Sequence, residues 1–359
     1  MIVSWNTTNK CNMYCEHCYR DSGKEDNYEL TTNEGKMLLE EIAKAGFKIM
    51  IFSGGEPLVR KDIFELINYA SKLGLRPVLG SNGSLITLEV AVNLKESGLK
   101  AVGISLDSLD ADKHDKFRNC NGAWRNTLYG MKNCREIGLP FQIHTTVMDW
   151  NKEELLHITD FAVAMGAIAH HPFFLVPTGR GENIEKEALK INDYESILAS
   201  IMEKQKEVNI ELKPTCAPQF MRIAENMGMK LRFSRGCLAG ISYCIIGPKG
   251  DVQPCAYLKE IVGNVREIPF SQIWSDSKVF NELRTLEYKG NCGECKQNRV
   301  CGGCRARAAY CNNGDYMAGD SLCVYAKKIL KQDTDSDGDS FIPSEFQRQV
   351  SQVKEKKFL

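Results

Sequence analysis

The chain has 359 residues, 43% of them hydrophobic, and its 46 lysines and arginines balance 46 aspartates and glutamates. Its length sets an expectation of about two domains, and the charge balance excludes a global field drawing it to nucleic acid or an anionic membrane. No run approaches the roughly 18 apolar residues of a membrane span, and Asn6, Asn9 and Lys10 interrupt any export-type start. A cytoplasmic protein is therefore expected, and in such a chain its 15 cysteines point to metal rather than to disulfides.

The first half alternates strand-like and helix-like patterns. Strands are predicted at 2–5, 48–52, 76–80, 101–105, 142–147 and 167–174, with helices at 33–45, 62–73, 88–97, 123–137 and 152–165. Thr31 with Glu34 forms a capping box, and Gly46, Gly74, Gly98, Gly138 and Gly166 stand where helix C-termini need a left-handed residue. A series of βα units implies a parallel sheet, either an open barrel or a doubly wound sheet. Such sheets place ligands beyond the carboxyl ends of their strands.

The unusual residues fall at those ends. After the first strand comes Cys-Asn-Met-Tyr-Cys-Glu-His-Cys-Tyr, with thiols at Cys11, Cys15 and Cys18. The same spacing would also suit buried cysteines on a helix stripe, but the polar stretches on both sides favour a loop. Three thiols can hold three irons of a cubane cluster, whereas an electron-transfer cubane wants four, so one iron is left open. Ser53-Gly54-Gly55-Glu56-Pro57 follows strand two, Ser81-Asn82-Gly83 ends strand three, Ser105-Leu106-Asp107 ends strand four and His144-Thr145-Thr146 lies in strand five. Gly54 and Gly55 let backbone approach a ligand closely, with Glu56 available to a cationic group. Ser105 and Asp107 suit ribose hydroxyls. The ligand inferred is an amino-acid nucleoside.

These residues resemble the radical S-adenosylmethionine superfamily, whose Cys-x3-Cys-x2-Cys loop and Gly-Gly-Glu-Pro element both stand here as written. The resemblance implies an α/β fold, a partial (β/α)6 TIM-like barrel, over about residues 1–181. It also implies a 4Fe-4S cluster on the three thiols, with S-adenosylmethionine on its open iron cleaved to a 5′-deoxyadenosyl radical. His17, Tyr19, Gly54, Gly55, Glu56, Ser81, Asn82, Ser105, Asp107 and Thr145 would then contact this cofactor. A reducing partner such as flavodoxin or ferredoxin is implied as well.

Residues 182–235 read as a helical bridge, with Cys216 in a stiff loop between Pro214 and Pro218. That thiol suits either a cavity wall or simple packing. Cys120 and Cys134 read as packing cysteines. From residue 236 the composition shifts: Cys237, Cys244 and Cys255 precede Cys292-x2-Cys295-x5-Cys301-x2-Cys304, then Cys311 and Cys323. Paired Cys-x2-Cys hooks also serve zinc ribbons, but so many thiols imply two metal centres whichever metal they hold.

The stretch 236–330 is similar to the SPASM extension of radical enzymes, a cysteine-rich iron–sulfur domain with two auxiliary clusters. By that resemblance Cys237, Cys244, Cys255 and Cys304 hold one auxiliary cluster, and Cys292, Cys295, Cys301 and Cys323 hold the other. Cys216 could replace Cys244 or reach substrate, and Cys311 is a spare thiol. In the tail, 331–359, an acidic run from Asp333 to Asp339 is like a calcium loop, yet Ser344 stands where a ligating glutamate belongs. A solvated tail is expected.

Within that family the chain most resembles the siroheme-dependent heme and heme d1 branch, through Ser4-Trp5-Asn6-Thr7-Thr8, Pro177-Thr178-Gly179-Arg180-Gly181, Thr215-Cys216-Ala217-Pro218-Gln219 and Cys301-Gly302-Gly303-Cys304-Arg305. The implied substrate is a tetrapyrrole, and removal of acetate side chains from didecarboxysiroheme, or the related heme d1 step, is expected first. Guanidinium groups bind peripheral carboxylates bidentately, which makes Arg180, Arg118, Arg222 and Arg235 the substrate candidates. The alternatives are oxidative decarboxylation of iron-coproporphyrin to heme, peptide crosslinking, and a non-catalytic iron–sulfur carrier or zinc module. Peptide-modifying relatives often carry a recognition domain ahead of the barrel, and the first strand here begins at residue 2.

Overall fold

The computed structural model describes residues 1–24 and 26–325, so the acidic tail lies outside the described residues. Six parallel strands, β1 (Ile2–Asn6), β2 (Ile49–Ser53), β3 (Arg76–Ser81), β4 (Ala101–Ser105), β5 (Phe141–Val147) and β6 (Ala169–Phe174), pair in chain order. Their crossovers carry α1 (Thr32–Lys44), α2 (Ile63–Lys72), α3 (Leu88–Glu96), α4 (Ala111–Arg118), α5 (Ala123–Glu136) and α6 (Leu155–Met165). The Thr31–Glu34 capping box starts α1, and Gly46 and Gly74 leave α1 and α2 with φ of 81° and 77°.

Strand alternation explains the layering. Val3, Trp5, Met50, Phe52, Leu79, Val102, Ile104, Phe141 and Ile143 point at the helices and form the main core with Leu38, Leu39 and Ile42 of α1. Each fully buried aliphatic side chain there stabilises the fold by about 1.5–3 kcal/mol. Ile51, Ser53, Gly80, Ser105, Gln142 and His144 alternate to the other face and remain partly accessible. A sheet buried on both faces would be apolar at every position, so this inner face lines a hollow.

Within the barrel one helix, α4, was not predicted from the sequence. α4 holds a single large apolar residue, Phe117, and buries His114 and Arg118 beside it, so no apolar stripe announces it. Asp110 caps it by accepting from the N–H groups of Asp112 and Lys113.

The sheet also runs past the expected boundaries at 181 and 235. Among the described residues it has ten strands, in the order β10-β9-β8-β1-β2-β3-β4-β5-β6-β7. From the bridge, β7 (Glu211–Leu212) joins β6 in parallel. From the cysteine-rich region, β8 (Tyr243–Ile246) pairs in parallel with β1, and β9 (Asp251–Gln253) and β10 (Gly263–Asn264) follow antiparallel. β7 and β10 are its two edges, so it is an open, partial barrel.

The bridge helices α7 (Ile191–Glu207) and α8 (Phe220–Asn226) bury Tyr194, Leu198 and Phe220 against Phe174 of β6. Beyond β10, α9 (Phe270–Asp276) packs on the barrel through Phe270, whose ring lies 5.2 Å from that of Phe47. α10 (Lys278–Thr285), α11 (Gly290–Gly293) and α12 (Arg305–Cys311) complete the C-terminal part. No helix among the described residues is long and apolar enough to cross a membrane.

Candidate active site and metal centres

The loop after β1 is not helical. It is held at its root by Cys11 N–H donating to Gly23 O at 3.1 Å and Gly23 N–H to Asn9 O at 2.9 Å. Cys11, Cys15 and Cys18 pack together around Met13 and Ala123, with Cys120 alongside. Burial above all, with charge on Glu56, Cys15 and Cys18 adding to it, pushes the Cys11 thiol up to about 12, and burial raises Cys15 as well. Cys11 and Cys15 are thus poor anions alone, and the three gathered thiols suit a cationic iron–sulfur core, which supplies the missing charge. The donor set fits a cubane with three protein ligands.

Arg118 reaches this loop from α4. Its Nη1 points at Cys15 Sγ at 3.9 Å, while Nε and Nη2 each lie 2.7 Å from Asp107 Oδ2. Asp107 also accepts from Thr146 N–H at 2.8 Å and is wholly buried. Burial alone would push its carboxyl up, yet Arg118 holds it below the ordinary carboxylate range. Asp107 is thereby corrected: its oxygens are taken by the protein, leaving half-buried Ser105 as the hydroxyl at that rim. Thr145 is corrected too, because alternation turns it outward. Its hydroxyl donates to Leu106 O at 2.6 Å and meets His170 at 3.0 Å, fully buried.

The Gly-Gly-Glu-Pro element runs against residues 7–10. Gly55 N–H donates to Thr8 O at 2.8 Å and Glu56 N–H to Lys10 O at 2.9 Å. A Cβ on Gly55 would lie 2.2 Å from the Lys10 carbonyl oxygen, backbone that cannot swing aside. Gly55→Ala is therefore expected to destabilise the protein by about 1–3 kcal/mol, read as a lowered denaturation midpoint; an unchanged midpoint would refute the close approach. Glu56 is buried and accepts from Leu58 N–H, Ser81 Oγ and Asn82 N–H at 2.9–3.1 Å. Burial nonetheless pushes its carboxyl up to about 7. Asn82 also donates to Asn12 Oδ1 at 2.8 Å, tying the end of β3 to the cysteine loop.

His17 stacks on Phe117 with centroids 4.1 Å apart, and Phe117 meets Trp150 edge-on at 5.2 Å. Burial lowers His17 to about 3, so the ring is neutral. Tyr19 donates to Asn6 Oδ1 at 3.0 Å and tilts against Tyr257 at 5.3 Å. Phe117, Trp150 and Tyr257 were missed from sequence, since isolated aromatics carry no spacing signal.

The four arginines expected to meet substrate are all engaged elsewhere. Arg118 holds Asp107 as described. Arg180 stacks on Tyr14 at 3.7 Å and donates to Cys15 O and Ser22 O at 2.8 and 2.9 Å, bracing the cysteine loop. Arg222 binds both Glu195 carboxylate oxygens, and Arg235 donates to Cys237 O, Arg299 O and Tyr288 Oη. Their neighbours, invisible in a linear reading, decide this.

The C-terminal thiols form two groups. Cys292, Cys295, Cys301 and Cys323 line one small cavity with Arg222 and Gln219. Burial pushes Cys301 up to about 12. In the other group Cys237, Cys255 and Cys304 influence one another's charge, and Cys216 hydrogen-bonds Cys304. That bond and nearby Arg307 outweigh burial and bring Cys304 down to about 6. Cys216 holds a left-handed backbone, φ 60°, a strain that non-glycine residues show mainly at functional sites.

Cys244 is corrected. Tyr243 points inward and donates to Ser4 Oγ at 3.0 Å, so alternation sends Cys244 into the core beneath the helices with Val3 and Ile246. Cys134 is likewise a core residue, whereas Cys311 is exposed.

Gly302 and Gly303 are both left-handed, φ 72° and 59°. The turn they make sends Cys301 to one group and Cys304 to the other. A Cβ on Gly303 would sit 2.9 Å from Cys292 Sγ.

The model of the radical SAM superfamily matches residues 5–162, and that of an iron–sulfur cluster-binding domain, SPASM, matches residues 237–305. The AdoMet-dependent heme synthase of Methanosarcina barkeri (strain Fusaro) is 42% identical over 338 residues, covering 90% of this chain and 96% of that protein. The Fe-coproporphyrin III synthase of the same organism is 32% identical, covering 92% and 89%. Among solved structures, Streptococcus suis SuiB bound to precursor peptide SuiA superposes with a TM-score of 0.74 at 17% identity, over 90% of this chain and 75% of that one. The last likeness shows the fold alone.

Proposed function

The chain belongs to the radical SAM superfamily and carries a SPASM domain, and from that premise we propose that it converts iron-coproporphyrin III to heme by oxidative decarboxylation of propionate side chains. It is an enzyme that binds a 4Fe-4S cluster and S-adenosylmethionine, with auxiliary iron–sulfur clusters in the SPASM domain. The observation that carries the proposed step is the 42% identity to a heme synthase across 90% of the chain, against 32% to the Fe-coproporphyrin III synthase of the same organism. This reverses the order read from sequence, which put acetate removal from didecarboxysiroheme ahead of heme formation.

In this reading Cys11, Cys15 and Cys18 would hold the catalytic cluster, and the chemistry it would supply is one-electron cleavage of S-adenosylmethionine to methionine and a 5′-deoxyadenosyl radical. The Gly54–Glu56 backbone and Asn82 lie beside the amino-acid end of that cofactor, and Ser105 beside its ribose. Cys216, Cys237, Cys255 and Cys304 hold one auxiliary cluster, and Cys292, Cys295, Cys301 and Cys323 the other. The partly accessible inner face supports a flat substrate. Gly80 and Gly103 sit side by side on β3 and β4, and the His144 ring lies where a Gly103 side chain would be, 2.3 Å from its Cβ position.

Anaerobic turnover with each candidate substrate, read by mass spectrometry, tests the step. Iron-coproporphyrin III should lose carbon dioxide and two hydrogens at each converted propionate. Loss of acetate groups from didecarboxysiroheme, with iron-coproporphyrin untouched, would overturn the assignment in favour of the earlier order.

A further inference from the structure

On the outer face of the barrel, a groove of about 500 Å3 lies between α5 and α6. Its walls are the apolar side chains of Trp124, Leu128, Tyr129 and Met165, and its cations are Arg125, Lys132 and Arg135. Among the described residues no acidic side chain lines it. No ion pair is formed by any of these three cations among the described residues, so their charge faces the groove uncompensated. In a chain whose charges balance at 46 of each sign, such a patch is local rather than a by-product of overall basicity. Tyr129 is 57% exposed, and the Trp124 indole N–H is buried with no hydrogen-bond partner.

Position gives the patch its meaning. Ala123, the first residue of α5, is wholly buried against Met13 and Cys15 of the cysteine loop. Trp124 is the next residue, so one end of the groove adjoins the residue packed on those thiols, and from there the groove runs along α5 to Arg135. Asp115 accepts from the N–H groups of Gly122 and Trp124 at 2.5 and 2.7 Å, fixing that start of the helix.

We propose that this groove is the docking surface for an acidic one-electron donor protein that reduces the N-terminal cluster. Apolar walls with aromatic anchors and an unpaired cationic rim suit a protein partner of opposite charge. The concave shape takes a protruding side chain, which a flat lipid surface does not offer. The donor gives up one electron and no atom is transferred. The inference rests on the cluster assignment to Cys11, Cys15 and Cys18, and is independent of which tetrapyrrole is the substrate.

The test uses the reconstituted full chain, with cluster reduction followed by anaerobic stopped-flow absorbance. Reduced flavodoxin and reduced ferredoxin are the probes, and dithionite the small-molecule control. Arg125→Glu together with Lys132→Glu should slow protein-driven reduction about tenfold or more at low salt. Dithionite-driven reduction should be unchanged, and added salt should bring wild type down towards the variant. Tyr129→Ala should shorten the lifetime of the complex without altering its salt dependence.

A variant reduced at the wild-type rate by both proteins would overturn the proposal, as would equal slowing with dithionite. Binding of anionic lipid vesicles through these cations, with donor rates untouched, would assign the face to a membrane and also overturn it. Because dithionite supports turnover without docking, any of these failures leaves the heme reading to stand or fall on its own assay.

Discussion

Cys216→Ala is expected to lower the iron content of the anaerobically reconstituted protein from about twelve to about eight per chain, counting about four irons per cubane, while Cys244→Ala leaves it unchanged. Cys216 takes the ligand role that the family resemblance gave to Cys244. Cys216 sits on a left-handed backbone and hydrogen-bonds Cys304, close enough to influence Cys255 as well. Cys244 faces the helices from β8, has Arg284 as its charged neighbour, and is fully buried. Its truncation leaves a small void worth about 1 kcal/mol. Iron analysis with low-temperature electron paramagnetic resonance decides the matter. Loss of iron from Cys244→Ala and not from Cys216→Ala would restore the assignment implied by the resemblance.

Asp107→Asn should cost about 3–5 kcal/mol, since it strands the buried Arg118 guanidinium without its counter-charge. An asparagine would also set its amide against N–H groups now received by Asp107 oxygens from Arg118 and Thr146. Removing the charge pair together, as Asp107→Asn with Arg118→Met, should recover part of that loss. Urea unfolding of the cluster-free protein measures both. A cost under about 1 kcal/mol for the single variant would show that the pair is not the desolvated unit its geometry describes. Because the Asp107 carboxyl is held below its ordinary range, the pair stabilises fully above that range. Its contribution is lost as pH falls through the lowered value.

Much of the barrel was legible because apolar alternation and glycine punctuation are local signals. The strand ends, the Thr31 cap and the helix-closing glycines all lie within a few residues of the pattern that announces them. Where the reading failed, the deciding contact was remote in sequence. α4 is polar on its surface and owes its place to buried His114, Phe117 and Arg118, the last paired with Asp107. The arginines gave no hint that Glu195, Tyr14 or the Cys237 carbonyl already engaged them. The number of thiols indicated two metal centres, and the resemblance to SPASM domains implied that the chain crosses between them. Which face of β8 a thiol occupies follows from a pairing with β1 across 239 residues, as in the Tyr243–Ser4 bond.

That pairing makes the N-terminal strand a shared spine. On one flank β1 holds β2, which leads to the Gly-Gly-Glu-Pro turn, and on the other it holds β8, which leads towards Cys255. The two iron–sulfur territories are therefore spaced by a ladder of backbone bonds instead of a hinge. The same ladder binds the halves as one inheritance: severing the C-terminal portion would bare the flank of β1 as a sticky edge, so neither half is a module to be traded alone.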